Sequence, residues 1–69
     1  MTNHVYKQLE LVGTSSVSIE DAVTNALAKA SKSVRNIHWF EIMETRGTVE
    51  NAKVAYWQVA MKVGFTIED

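Results

Sequence analysis

The 69-residue chain contains no cysteine, which excludes a disulfide framework, a thiolate zinc site and a cysteine nucleophile together. Histidine is scarce: His4 and His38 stand alone, with no ligand-spaced partner. An excess of one charge is missing too. Seven Lys and Arg against eight Asp and Glu leave a formal net charge of -1, so no strongly basic surface serves unspecific nucleic-acid binding. No apolar run approaches the ~20 residues of a membrane helix, and the N-terminus lacks the charged-then-apolar pattern of a secretory signal. The expectation is a soluble cytoplasmic protein with neither nucleic-acid nor membrane partners. The three glycines, Gly13, Gly47 and Gly64, are isolated and build no phosphate-cradling loop. No Ser/His/Asp arrangement and no pair of acid–base carboxylates is found. No catalytic residue and no metal site is predicted, and the chain is not expected to be an enzyme.

What is present is ordinary for a folded domain, 46% hydrophobic and 22% charged, and the length allows a single domain over residues 1–69. A domain this small buries only about 60% of its unfolded-chain surface and usually needs a staple. With disulfides excluded and no metal ligands in view, oligomerisation is the staple left.

The patterning gives the order β-α-β-β. Residues 4–12 alternate and stop at Gly13, as a strand does. Ser18 precedes Asp21 by three residues, close to a capping box. Ile19, Ala22, Val23, Ala26, Leu27, Ala30 and Val34 then recur at helical spacing, predicting a helix over about residues 18–34 with an alanine-rich stripe that allows close approach to a sheet. A second strand spans residues 37–46, with Ile37, Trp39, Glu41 and Met43 on one face and His38, Phe40, Ile42 and Glu44 on the other. After a connector at 47–51, a third strand runs over 54–67. Its Trp57, Val59, Met61, Val63 and Phe65 face the helix, and Phe40 and Ile42 are expected to help cover the helix stripe. One helix cannot cover both sheet faces. The face left over carries Trp39, Tyr56, Met43 and Ala60 among polar groups, which suits subunit packing or a flat aromatic ligand.

Trp39 is the leading candidate. On its own a sheet tryptophan is more often a buried subunit contact; the functional reading is a plane on which another planar ring stacks. In a hairpin turning near Thr48 and Val49, positions whose numbers sum to about 97 lie opposite each other, and Trp39 and Gln58 meet that condition. The Gln58 amide offers a donor and an acceptor in one plane, which suits the edge of a pyrimidine-like ring. Arg46, otherwise an ordinary solvated charge beside a turn, is suited to a phosphate or ring oxygen of such a ligand.

Tyr6-Lys7 through Val12-Gly13-Thr14-Ser15, the Trp39-Phe40-Glu41 triplet, Arg46-Gly47-Thr48, Gln58-Val59 and Lys62-Val63-Gly64-Phe65 together resemble, in order and spacing, a bacterial dodecin. The resemblance spans nearly the whole chain. It implies an α+β fold in which a three-stranded antiparallel sheet packs on and partly wraps one helix. It further implies a homododecameric shell binding flavin (FMN, riboflavin or FAD), stacked in pairs between tryptophans of neighbouring subunits. Carried over, Trp39 would be the stacking residue, Gln58 the amide at the pyrimidine edge and Arg46 the arginine near the flavin. The role implied is flavin storage, buffering or photoprotection, since a stacked tryptophan quenches an excited flavin. Coenzyme A is a second ligand of some bacterial dodecins, and Thr66, where a basic residue is expected after Gly64-Phe65, weighs against it here. His38 also departs from the acidic residue usual before the tryptophan. The competing reading is a ligand-free structural or partner-binding oligomer with Trp39 buried at a subunit interface.

Overall fold

The computed structural model describes residues 3–67. Strand β1 (Tyr6–Ser15) leads into helix α1 (Ile19–Ala30), followed by the long strands β2 (Ile37–Glu50) and β3 (Lys53–Thr66). The strands form one antiparallel sheet of order β1-β3-β2, and the helix packs on β1 and β3. The expected α+β, β-α-β-β architecture is the one found.

The helix starts where the sequence places it. Ser18 caps it, its hydroxyl accepting from the Asp21 N–H at 3.0 Å. A second serine, not anticipated, joins β1 to the cap. Buried Ser15 accepts from the Val17 and Ser18 N–H groups at 2.9 and 3.3 Å and donates to Asp21 Oδ2 at 2.7 Å. Asn25 donates to the same carboxylate oxygen and to the Thr14 carbonyl. The helix ends at Ala30, short of the expected 34, because Ser31 takes over as C-cap. The chain then leaves through turns that bond Ser33 and Val34 back to Ala30 and reverses at Asn36, whose φ is 63°.

The alanine stripe does bring the helix close. A Cβ at Gly13 would stand 2.3 Å from the Ala22 carbonyl oxygen and 2.9 Å from the Ala26 Cβ, so β1 and α1 touch backbone to backbone at this glycine. Around that contact lies the core: Ala22 and Val23 against Val59, Met61 and Val63, flanked by Leu11, Ile19, Ala26, Leu27 and Ile37. Trp57 lies on the same side of β3 but is only half-buried and outside this cluster.

Three expectations about the hairpin are corrected. The strands run through the anticipated connector and turn at Asn51 and Ala52, both at positive φ (52° and 62°), the geometry of a two-residue hairpin turn. That moves the register: Gln58 lies opposite Arg46, and Trp39 opposite Gly64, so Trp39 and Gln58 are not cross-strand neighbours. Irregularities between Ile37 and Trp39 and between Ile42 and Glu44 each insert an extra residue in β2, which breaks the simple alternation. Ile37 therefore turns to the core and away from Trp39's face. His38 leaves Phe40's side, its ring edge-on to Tyr6 at 6.0 Å. Glu44 lies opposite Ala60, on the same face as Trp39, and Met43 is the extra residue.

Phe40 and Ile42 stay on the helix side, opposite Val63 and Met61, and line an apolar groove with Ile19, Val23 and Leu27. They are nonetheless 46% and 42% exposed, because the helix sits over β1 and β3 and leaves β2 overhanging. The folded chain measures 54 × 21 × 14 Å with a radius of gyration of 14.3 Å, against about 11 Å for a compact chain of this length. The core is thin, and the overhanging hairpin leaves Val49, Val54 and Tyr56 exposed.

Candidate functional site

The sheet face turned away from the helix carries the three predicted residues, but in two groups. At one end is Trp39. A Cβ built on Gly64 would stand 2.0, 2.2 and 2.6 Å from Trp39 Cε2, Cζ2 and Cδ2. Near-equal approach to three adjacent ring atoms puts that position over the ring plane, not at its rim. The indole thus lies flat on the β3 backbone, and only glycine leaves room for it. A strand-interior glycine is otherwise a cost, from backbone entropy and a missing side chain, and this contact explains it. Tyr6 stands beside the indole, its ring centroid 6.3 Å away and tilted by 60°, and His38 Nε2 is 3.5 Å from Thr66 Oγ1. The indole is half-buried, with its inner face covered by its own sheet.

At the other end Arg46 and Gln58 meet across the strands. Arg46 Nη1 donates to Gln58 Oε1 at 3.2 Å, while Nη2 donates to Glu44 Oε1 at 2.5 Å. The second irregularity in β2 makes this grouping: without the extra residue, Arg46 would point to the helix side. Neither Glu44 nor Tyr6 was singled out from the sequence. Gly64 in a strand interior was the one signal available, and it points to a close approach.

Gly64 and Gln58, which mark the two groups on β3, are six residue steps apart along the strand, or about 20 Å at strand rise. That is further than a single tricyclic ring reaches. Among the described residues no group of three His, Asp or Glu is placed to hold a metal ion, and no helix is long and apolar enough to cross a membrane.

Comparison with known proteins settles the family. The dodecin family profile matches residues 5–68. This chain belongs to the dodecin family. It is 49% identical over 65 residues to the dodecin of Thermus thermophilus, covering 94% of each chain. Among solved structures it is similar to the dodecin of Streptomyces davaonensis, with a TM-score of 0.95 and 40% identity over 99% of this chain and all of that one. The Streptomyces coelicolor dodecin superposes with a TM-score of 0.94 at 45% identity, covering 100% and 99%. The β-α-β-β dodecin fold is therefore this chain's fold.

Proposed function

We propose that this dodecin binds flavin by stacking the isoalloxazine ring on Trp39 and holding its pyrimidine edge with Gln58 of a neighbouring subunit. The protein acts in the cytoplasm as a non-catalytic store or buffer, within a closed homododecamer. The observation that carries the reading is the indole of Trp39 laid flat on Gly64: one face is braced by backbone, and the other is a fixed plane on a sheet face the helix does not cover. Such a plane holds a flat aromatic ring by dispersion and offset stacking. The separation of Trp39 from Gln58 along β3 supports a site shared between subunits. The bound flavin would supply a photoexcitable, redox-active ring, and an indole in contact with it quenches the excited state by electron transfer. We do not extend the proposal to coenzyme A.

Fluorescence titration of stripped protein with FMN, riboflavin and FAD tests the reading. Flavin emission is expected to fall to saturation at one flavin per subunit. Emission unchanged at micromolar protein would overturn it and return Trp39 to a subunit-contact role.

A further inference from the structure

We infer that Glu44 is a positioning residue of the ligand site, acting through Arg46 to fix which way the Gln58 amide points. The inference rests on the flavin reading above and specifies what Gln58 presents. The guanidinium bridges two acceptors: Nη2 on Glu44 Oε1, Nη1 on Gln58 Oε1. A glutamine amide has one oxygen and one NH2 group. With one lone pair of its oxygen engaged by Arg46, the amide is held against flipping, and its NH2 and the second lone pair keep fixed places for the ligand. The site therefore takes a ring edge that sets a carbonyl oxygen against the NH2, with an N–H beside it for the remaining lone pair.

The same geometry bears on Arg46. Its charge is offset by the Glu44 carboxylate at 2.5 Å, and one N–H of each terminal nitrogen is already engaged. Arg46 is thus an orienting group for the ring-edge contact rather than a phosphate clamp. All three side chains share one face because of the extra residue, Met43, between Ile42 and Glu44. An exposed ion pair of this kind contributes little to stability, so its removal leaves the fold intact and its effect falls on the ligand.

The test is a thermodynamic cycle on the full-length assembled protein, read by FMN and riboflavin fluorescence titration. Glu44→Gln, Gln58→Ala and the double variant are compared, with light scattering to verify an unchanged particle. Glu44→Gln is expected to weaken FMN and riboflavin equally, by about three- to tenfold, the scale of one net hydrogen bond. Bound-flavin quenching should stay at the parent level, since Trp39 is untouched. In the Gln58→Ala background the same substitution is expected to cost nothing further, because it works only through that amide. Arg46→Lys supplies an independent arm: a point ammonium does not grip both partners as the planar fork does, so it should lose as much as Glu44→Gln. Parent-level binding by Glu44→Gln or Arg46→Lys would overturn the inference while leaving the flavin reading intact. So would losses that multiply in the double variant, or a gain for FMN alone, which would reveal Arg46 as a phosphate contact. A parent protein that binds no flavin would overturn both.

Discussion

The indole of Trp39 rests on Gly64 so closely that a methyl group at Gly64 would lie 2.0 Å from the ring. The stacking plane and the glycine beneath it are one unit, although they come from different strands. Gly64→Ala must therefore tilt or displace the indole. We expect flavin affinity to fall by at least about fivefold, the lower end of the scale for one aromatic stack, with weaker quenching of what remains bound. Fluorescence titration reads both, and parent-level binding by Gly64→Ala would show that the plane need not be held flat.

Assembly is the second expectation. A chain with a thin core, an overhanging hairpin and exposed Phe40 and Ile42 is expected to draw its stability from neighbours. Light scattering should give a mass about twelve times the 7.7 kDa chain. A monomer or dimer at micromolar concentration would contradict the shell.

Gly13 tests the helix–sheet contact. Its missing Cβ is what lets the Ala22 backbone approach. Gly13→Ala should cost about 1–3 kcal/mol by overpacking, seen as a lower melting temperature. A variant as stable as the parent would mean that the helix shifts freely on β1.

The hairpin turn offers a change in the opposite direction. Ala52 occupies the left-handed region at a φ of 62°, which costs an L-residue roughly 1–2 kcal/mol. Ala52→Gly relieves that cost while adding freedom to the unfolded chain, so a net gain of about 0.5–1 kcal/mol is expected. A denaturation midpoint at or below the parent's would argue against the strain.

The residues explain which parts of this architecture were legible beforehand. Periodicity exposed the α1 stripe, and the short range of capping chemistry exposed Ser18. The core face of β3 followed from alternation alone, since Val59, Met61 and Val63 sit in an uninterrupted strand. β2 was harder, because an inserted residue at His38 or Met43 leaves no mark in the composition yet flips everything beyond it. The turn was missed for a related reason: alanine at a left-handed position gives no glycine signal, so the hairpin was placed too early and Gln58 was set opposite Trp39 instead of Arg46. Alternation did place Trp39 and Gln58 on the sheet face turned away from the helix, whereas Arg46 reaches that face only through the extra residue in β2. Their division into two ends, about 20 Å apart, needed the register.

The most direct measurement of the central claim is FMN titration of Trp39→Ala beside Trp57→Phe. Trp39 is the only stacking plane proposed, whereas Trp57 lies half-buried on the helix side of β3, opposite Ser15 and Gly47. Trp39→Ala should bind FMN about ten- to a hundredfold more weakly, as expected for the loss of about 1–3 kcal/mol of ring stacking, and any FMN still bound should fluoresce strongly. Trp57→Phe should bind and quench as the parent does, at some cost in stability. A Trp39→Ala protein that assembles normally and still binds and quenches FMN like the parent would contradict the account.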